Sequence, residues 1–323
     1  MKIKFWGVRG SIPTPGKTTV RYGGNTSCIE IETDKGSTII FDAGSGIREL
    51  GFKLLKKMPV SAYIFFSHTH WDHIQGFPFF VPIFIPTSTL KLYAPKPLKE
   101  SESLESIMKN QMSYQVFPIS LDAIQNMNSK IQYNDIIEGK INIPELENEG
   151  ITILSQYMNH PVVCLGYKII YDGKTIVYTG DNEPYYNVFD KNLSINKSSG
   201  DKAKSVLFDD EEDDVDDKEA ENTVEMMNKK FINFIRDCDY LISDSQYTEE
   251  EYKTKLGWGH TSIETNISRA LEAKVKRLIL FHHEPMRGDD ALDELIRNHR
   301  KSLAGSGNSI ELSAAYEGLE ITI

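Results

Sequence analysis

Short apolar runs and alternating apolar and polar residues recur along the chain and predict a series of β-strands. These strands are predicted near residues 3–8, 25–32, 37–41, 60–66, 90–93, 151–157, 162–171, 175–178, 240–243, 277–281, 309–312 and 319–323. Segments with helical spacing of apolar residues predict helices near residues 47–57, 101–112, 224–235, 262–273 and 289–302. The mixture of strands and helices places the chain in the mixed α/β (α+β) class.

Four potential metal ligands lie directly after the predicted strand at 60–66. His68, His70, Asp72 and His73 form the pattern His-x-His-x-Asp-His. Neutral imidazole binds Zn, Fe, Ni and Cu well, and carboxylate oxygen suits harder ions such as Mn. His68 and His70 can point to the same side and share one metal, and Asp72 and His73 are placed for a second metal nearby. Packing or helix capping does not easily explain so dense a cluster.

Further candidate ligands occur elsewhere at the ends of predicted elements. His160, Asp181 and His282 each come just past a predicted strand, and His260 directly precedes the helix predicted at 262–273. Open α/β sheets usually hold their sites at the carboxyl edge of the strands, and the backbone N–H groups at a helix N-terminus favour anions. Each of these residues alone is a weak signal, because polar residues are common after strands.

Three other segments carry residues with a candidate role. The Gly/Pro-rich loop 7–16 contains Arg9 and Ser11, which could bind an anionic substrate, although an ordinary surface loop explains the spacing equally well. Asp42 begins an Asp-x-Gly turn and is a good residue for entering the helix that follows, so we do not assign it as a ligand. Asp244, past another predicted strand, could support a ligand His through a hydrogen bond.

The charge of the chain is concentrated in one segment. The chain has 323 residues, 40% of them hydrophobic, which suffices for one large core or two modest ones. Its formal net charge is −11, and residues 209–221 hold ten acidic residues and one Lys, a local net charge of −9. The remainder is nearly neutral, so no basic surface for long nucleic acid is indicated. The polar and acidic composition of residues 190–222 predicts a mobile insertion.

The cysteines and the apolar segments bear on where the protein resides. Cys28, Cys164 and Cys238 form no CxxC motif, so a thiolate zinc site is not indicated. Cys28 and Cys164 lie in predicted strands and are expected to be small buried residues, which fits a reducing compartment. The sequence has no apolar segment typical of a signal peptide and no apolar run of about eighteen residues. We therefore expect a cytoplasmic protein without membrane association.

The His-x-His-x-Asp-His motif and the order of the later candidates resemble the metallo-β-lactamase superfamily. The resemblance covers nearly the whole chain and implies a four-layer αββα sandwich, one domain over residues 1–323 into which the acidic segment 190–222 is inserted. It implies that Asp42 supports the metal site from beneath. It also implies that two metals are bridged by Asp181, with the first held by His68, His70 and His160 and the second by Asp72, His73 and His282.

The segment Gly259-His260-Thr261-Ser262 and the strand before His282 resemble one branch of this superfamily more specifically. That branch contains ribonuclease Z, the phosphonate-pathway cyclic phosphodiesterase and cyclic-nucleotide phosphodiesterases, and its extra His contacts the phosphate or protonates the leaving oxygen. Residues 7–11 and 22–28 look like a bacterial subgroup with poorly defined substrates. The long arm with which ribonuclease Z grips tRNA is not evident, and the acidic insertion would repel RNA. We therefore expect no long nucleic acid partner.

The resemblance implies a binuclear metal-dependent hydrolase that uses two divalent ions (Zn, Mn or Fe). The implied substrate is a small phosphodiester, with a cyclic nucleotide favoured, and the implied mechanism has two metals that share a hydroxide and clamp the phosphoryl oxygens. Asp72 ligates one metal and orients or deprotonates the nucleophile, and His260 binds the phosphate or acts as general acid. Arg9 and Ser11 complete the expected substrate-binding set. By analogy with relatives that are often dimers, a homodimer is a further expectation.

Three alternatives stay open at this stage. The first is a hydrolase of a thioester or lactone on the same metals, which His260 disfavours because its role belongs to phosphate chemistry. The second is a di-iron redox protein, a branch that usually has His-x-Glu-x-Asp-His, whereas this chain has His70 at that position. The third is a regulatory module that binds nucleotides without turnover. The natural substrate and a role for His283 are not determined by the sequence.

Overall fold

The computed structural model describes residues 1–126, 130–188, 217–307 and 310–323. In these residues, fourteen strands form two seven-stranded mixed sheets. The first sheet has the order β14-β1-β2-β3-β4-β5-β6, with β1 (Lys2–Gly7), β2 (Cys28–Glu32), β3 (Thr38–Phe41), β4 (Ser61–Phe65), β5 (Thr89–Pro95), β6 (Lys130–Ile136) and β14 (Glu320–Thr322). The second has the order β13-β12-β11-β10-β9-β8-β7, with β7 (Gly139–Ile141), β8 (Thr152–Met158), β9 (Cys164–Tyr171), β10 (Lys174–Tyr178), β11 (Tyr240–Asp244), β12 (Arg277–Phe281) and β13 (Glu311–Ala314).

Helices cover the outer faces of the two sheets. The α-helices of the described residues are α1 (Ile47–Leu54), α2 (Trp71–Ile74), α3 (Leu104–Gln111), α4 (Leu121–Gln125), α5 (Pro144–Glu147), α6 (Asp217–Ile235), α7 (Glu249–Tyr252), α8 (Ile263–Glu272) and α9 (Asp289–Gly305). Short 3-10 turns occur at Leu55–Lys57, Phe77–Phe79, Val81–Phe84 and Glu100–Glu102. No helix among the described ranges combines the length and apolar character needed to cross a bilayer.

The alternation of side chains along β4 explains why two cores form. Tyr63 and Phe65 lie in the apolar cluster between the sheets, which also contains side chains of the second sheet such as Tyr167. Ala62 and Ile64 point the other way, into a cluster shared with α1 and α3. A third cluster joins the second sheet to α6, α8 and α9. Because β4 is covered on both faces, its sequence is apolar throughout rather than alternating. The layers are therefore helix, sheet, sheet, helix, as expected.

The predicted elements are present with ends shifted by a few residues, and one helix starts earlier than predicted. Helix α6 begins at Asp217 rather than near residue 224, so residues 217–222 of the expected acidic insertion are helical. The part of that expected insertion at 190–216 lies outside the described residues. Strand β6 was not predicted, because it is half-exposed and its sequence Lys-Ile-Gln-Tyr-Asn-Asp-Ile is largely polar. The turn between β9 and β10 has positive φ at both Asp172 and Gly173, as a two-residue hairpin turn of type I′ requires.

Candidate metal centre

Strand directions gather the candidate ligands at one edge of the second sheet. Strands β10, β11 and β12 are mutually parallel, and β8 runs in the same direction as β10 because each is antiparallel to β9. Their carboxyl ends therefore lie at the same edge. His160 follows β8, Asp181 follows β10, Asp244 ends β11 and His282 follows β12. The remaining candidates come from the loop and short helix after β4 in the facing sheet.

The first group of donors consists of three imidazoles and one carboxylate. The group contains His68, His70, His160 and Asp181. Each residue offers one potential ligand atom, and these four atoms all lie within 4.8 Å of one another. His160 Nε2 is 3.0 Å from His70 Nδ1, and His68 Nε2 is 3.5 Å from Asp181 Oδ2. Residues that follow β4, β8 and β10 thus converge on one point.

The second group shares Asp181 with the first. One ligand atom each of Asp72, His73, Asp181 and His282 lies within 4.8 Å of the others, and all four residues are buried. His282 Nε2 is 3.0 Å from Asp72 Oδ2 and 3.3 Å from His73 Nε2, and His73 Nε2 is 3.2 Å from Asp181 Oδ2. The sharing of Asp181 agrees with its expected position between two metals.

Unsatisfied polar atoms indicate that these groups are suited to cations. His68 Nε2 and Asp181 Oδ1 are buried and have no hydrogen-bond partner. A buried polar atom without a partner costs about 1–3 kcal/mol. His68 belongs to the first donor group and Asp181 to both groups. Imidazole nitrogen and carboxylate oxygen are ligands of Zn, Mn and Fe. The donor set therefore fits divalent metal ions.

Burial prepares two of the imidazoles for metal binding. Burial lowers the pKa of His68 well below its usual value and lowers the pKa of His160 to about 3. Both side chains are therefore neutral at physiological pH, which is the form that ligates a metal. Burial opposes ionisation of Asp181, but His282 and His73 overcome it and hold the pKa of this carboxyl well below its usual range.

Hydrogen bonds at the other ring nitrogen orient several of the imidazoles. His73 Nδ1 lies 2.8 Å from Asp42 Oδ2, and His160 Nδ1 lies 3.0 Å from the carbonyl oxygen of Gly259. His68 Nδ1 is 3.0 Å from Ser67 Oγ. Such contacts fix the ring orientation and the tautomer, so that the opposite nitrogen faces the centre.

Asp42 is the best-connected of these supporting groups. Its fully buried carboxylate accepts hydrogen bonds from Ser67 N at 2.7 Å, Ser67 Oγ at 2.9 Å and the Tyr178 hydroxyl at 2.6 Å, besides its contact with His73. Its backbone has a φ of 58°, a left-handed conformation that non-glycine residues rarely adopt. Asp42 thus supports the site from beneath and lies in neither donor group, in agreement with the sequence analysis.

His260 lies beside the two groups and pairs with Asp244. Its Nδ1 is 3.0 Å from Asp244 Oδ2 and 3.8 Å from Asp181 Oδ2, and its ring stacks on that of His282. Burial lowers the pKa of His260, but the charge and hydrogen bond of Asp244 outweigh burial and raise this pKa to about 9. Asp244 also accepts backbone hydrogen bonds from Asn182 and Gln246. Asp244 therefore holds Nδ1 of His260 and favours the protonated form of its imidazole.

The Gly/Pro-rich loop contacts the centre, but not through Arg9. Arg9 is fully buried, and its guanidinium donates to the carbonyl oxygens of Gly23 and Arg287 at 2.8 and 2.7 Å. Its Nη2 also lies 3.5 Å from Asp289 Oδ1. The expectation that Arg9 binds substrate is therefore wrong for this structure, because every face of the guanidinium is occupied by protein; Arg9 ties the loop to the start of α9.

Ser11 is the loop residue that reaches the donor groups. Its backbone N–H donates to Asp72 Oδ2 at 2.7 Å, and its side chain is exposed. The residue before Ser11 is Gly10. A Cβ atom at this position would lie 2.4 Å from His282 Nδ1, which is too short for two non-bonded atoms. The close approach of this loop therefore requires glycine at position 10.

Two further residues complete the description of the site. Sequence reasoning missed Glu183, whose carboxylate accepts hydrogen bonds from Gly257 N at 2.8 Å, Gly259 N at 3.0 Å and the Tyr252 hydroxyl at 2.8 Å. Glu183 thereby fixes the loop that leads to His260; the only signal for it was its position two residues after Asp181. His283 belongs to neither donor group: it is buried, and its Nε2 donates to the carbonyl oxygen of Ala315.

Comparisons with known proteins agree with the fold. A model described as "Beta-lactamase superfamily domain" matches residues 37–192. The chain is 27% identical over 301 residues to a ribonuclease Z from Sulfurisphaera tokodaii, covering 82% of this chain and 84% of the relative. It is 22% identical over 344 residues to a ribonuclease Z from Bacillus cereus, covering 97% of this chain and 98% of the relative. The fold is similar to that of the metallo-β-lactamase fold protein YhfI from Bacillus subtilis, with a TM-score of 0.61, 18% identity and coverage of 99% and 98%. The chain is therefore similar in sequence to proteins named ribonuclease Z and to the β-lactamase superfamily domain, and it has the metallo-β-lactamase fold.

Proposed function

We propose that the protein is a metal-dependent phosphodiesterase that hydrolyses a small phosphodiester, with a cyclic nucleotide as the favoured substrate. The observation that carries the proposal is the position of His260. Its Nδ1 is held by Asp244 and its ring lies against that of His282. These three residues form a further group of potential ligands, but His260 belongs to neither of the two donor groups built around Asp181. A phosphodiester hydrolase that releases an alkoxide needs a proton donor beside its metals. His260 lies next to the proposed metal ligands and is our candidate for that donor.

The proposed ligands follow the two donor groups. His68, His70 and His160 would hold one divalent ion, Asp72, His73 and His282 would hold the other, and Asp181 would touch both. Divalent ions in such a site supply a nucleophile from water at neutral pH and neutralise the charge on phosphoryl oxygens. Zn, Mn and Fe all suit this set of imidazole and carboxylate donors.

The protein side chains would then control the protons. The water oxygen forms a bond to phosphorus and the bond from phosphorus to the leaving oxygen breaks. His260 Nε2 gives its proton to that leaving oxygen, because Nδ1 is engaged by Asp244. Asp72 orients the attacking water, since the neighbouring His73 and His282 outweigh burial and hold the pKa of this carboxyl well below its usual range. The exposed side chain of Ser11 lies beside Asp72 and is the proposed contact for a non-bridging phosphate oxygen.

The relatives favour a second candidate, a phosphodiester within an RNA chain. The two similar proteins named ribonuclease Z align along most or nearly all of their length with this chain. The net charge of −11 opposes binding of a long polyanion. The expectation of no long nucleic acid partner therefore stays a prediction, to be tested together with the small substrates.

Activity assays separate these candidates. Purified protein supplied with Mn or Zn is expected to hydrolyse bis-p-nitrophenyl phosphate and at least one member of a panel of cyclic nucleotides, and to leave a tRNA precursor intact. Cleavage of the precursor without turnover of any cyclic nucleotide would favour the second candidate. Folded, metal-loaded protein that hydrolyses none of these diesters would refute both. The variant His260→Ala is expected to keep its metals, measured by inductively coupled plasma mass spectrometry, and to lose turnover.

A further inference from the structure

Two of the three tryptophans are exposed next to the metal centre. Trp71 is 66% exposed and Trp258 is 46% exposed. The third, Trp6, is partly buried, and its Nε1–H donates a hydrogen bond to Glu30 Oε2 at 3.0 Å. Tryptophan carries a large apolar ring that is usually withdrawn from water. Two such rings left in solvent at one site therefore call for a ligand that covers them.

The two tryptophans lie in segments on either side of the first donor group, Trp71 at the start of α2 and Trp258 in the loop before His260. Trp71 stands between His70 and Asp72 in the sequence, and Trp258 directly precedes Gly259. The carbonyl oxygen of Gly259 is 3.0 Å from His160 Nδ1, and His160 Nε2 is 3.0 Å from His70 Nδ1. A short chain of contacts thus joins the backbone segments of the two tryptophans through two proposed metal ligands, so that both residues flank the first donor group.

The backbone of each tryptophan is held in place. The carbonyl oxygen of Trp71 accepts a hydrogen bond from Gln75 N at 2.7 Å, within the short helix α2. Trp258 N donates to the carbonyl oxygen of Lys255 at 3.1 Å, and Glu183 binds the backbone on both sides of Trp258. Fixed positions reduce the conformational entropy that a ligand would otherwise have to remove on binding.

The rings themselves remain available. The Nζ of Lys255 lies 4.1 Å above the Trp258 ring, a cation–π contact that steadies the ring and covers one face of it. Within the described ranges, the Trp71 side chain makes no hydrogen bond and no ring contact. The exposed face of a tryptophan ring is apolar and uncharged, and the proposed metal centre beside it would bind phosphate oxygens. This combination suits a ligand in which a flat aromatic group is attached to a phosphate.

We propose that Trp71 and Trp258 are substrate-binding residues on which the base of a nucleotide stacks while its phosphodiester lies at the metal centre. This inference rests on the proposed phosphodiesterase function and specifies the substrate as one that carries a nucleobase. Stacking on an aromatic ring accepts any base, because every base has a π-face. The two tryptophans thus supply affinity for nucleotides without selecting one base.

The decisive experiment compares two substrates that differ only in the base. Adenosine 2′,3′-cyclic phosphate carries a base, and methyl riboside 2′,3′-cyclic phosphate does not. Trp71→Ala and Trp258→Ala are each expected to raise KM for the adenosine substrate by about 5- to 100-fold, with kcat and the kinetics on the base-free substrate unchanged. Trp71→Phe and Trp258→Phe keep a ring and are expected to retain most of the affinity. Phe52→Ala is the matched control, because Phe52 is 43% exposed and lies on α1 with Arg48 over its ring.

A binding measurement tests stacking independently of turnover. AMP added to the metal-loaded protein is expected to quench tryptophan fluorescence, and ribose 5-phosphate is not. The quenching should be smaller in Trp71→Phe and in Trp258→Phe, with metal content equal to wild type. If wild type hydrolyses neither cyclic phosphate, the choice of these substrates fails, while quenching by AMP still supports stacking.

Three results would overturn the inference. The first is an absence of quenching by AMP. The second is an equal rise in KM for the base-carrying and the base-free substrate, which would mean that the tryptophans shape the site without touching a base. The third is dissociation of a dimer in the alanine variants, seen by size-exclusion chromatography, with no change in base preference. That result would assign the exposed rings to contact with a second copy of the chain.

Discussion

Replacing Asp244 by Asn removes the charge that keeps His260 protonated. The rise in the pKa of His260 from 6.5 to about 9 corresponds to about 3 kcal/mol in favour of the imidazolium. Asn retains the size of the side chain but has one acceptor oxygen, so it keeps only one of the two backbone hydrogen bonds, from Asn182 N to Oδ2 at 3.3 Å and from Gln246 N to Oδ1 at 3.1 Å. Without the carboxylate, burial lowers this pKa towards its usual value, opposed only by the charges of Asp181 and Asp72. The substitution thus changes a protonation state with little change in shape.

The expected loss of activity depends on pH. At pH 8, an imidazole with a pKa of about 9 is about 90% protonated, whereas one with a pKa of about 6.5 is about 3% protonated. If His260 is the general acid, kcat of Asp244→Asn should be about 30-fold lower than wild type at pH 8 and about 4-fold lower at pH 7. Wild type should lose activity only as pH rises through about 9, the direction expected for a group that acts when protonated.

The assay compares two leaving groups over a range of pH. A cyclic nucleotide releases an alkoxide, which needs a proton, whereas bis-p-nitrophenyl phosphate releases p-nitrophenolate, a stable anion that does not. The defect of Asp244→Asn should therefore be large with the cyclic nucleotide and small with the p-nitrophenyl ester. Asp239→Asn is the matched control, because Asp239 is a buried acid just before the same strand whose partners are Lys276 and Thr175.

One pattern of results would refute the reasoning. A loss of equal size at every pH and with both leaving groups, together with reduced metal content, would show that Asp244 acts on the metal centre. His282 would then be the route, because its Nδ1 lies 3.8 Å from Asp244 Oδ1. Two results together would support His260 as the proton donor. The variant should have the same metal content as wild type, and its pH-dependent loss of activity should occur only with the substrate that releases an alkoxide.

Three other substitutions test the supporting residues. Asp42→Asn should weaken metal binding about 10- to 100-fold in competition with a chelator, because it disturbs the hydrogen bond that orients His73; unchanged affinity would exclude that role. Glu183→Gln should lower the free energy of unfolding by about 1–3 kcal/mol in urea titrations, because its amide N–H groups would face backbone donors; unaltered stability would contradict it. Burial lowers the pKa of His283 to about 3, so the protein should lose stability as pH falls from about 6.5 towards 3, and His283→Gln should reduce this slope. An identical slope would rule His283 out as its source.

Local patterns in the amino-acid sequence were enough to place most of the elements and to nominate the candidate donor residues. The apolar run before His68 specified a strand buried on both faces, and the polar residues just past four strands specified where ligands would gather. This worked because hydrophobic periodicity reports local structure and because strand ends with the same direction share an edge. The resemblance to the metallo-β-lactamase superfamily supplied the layer order, which periodicity alone does not contain.

Only the tertiary structure decided which polar residues meet and in what state. Arg9 and Ser11 look alike in the sequence as loop residues, yet one is buried against α9 and the other contacts Asp72. Glu183 and Asp244 gain their roles from partners 74 and 16 residues away, Gly257 and His260. Burial and neighbouring charge depend on the whole packed assembly, so the protonation of His260 and the exposure of the two tryptophans follow from contacts between distant segments rather than from local pattern.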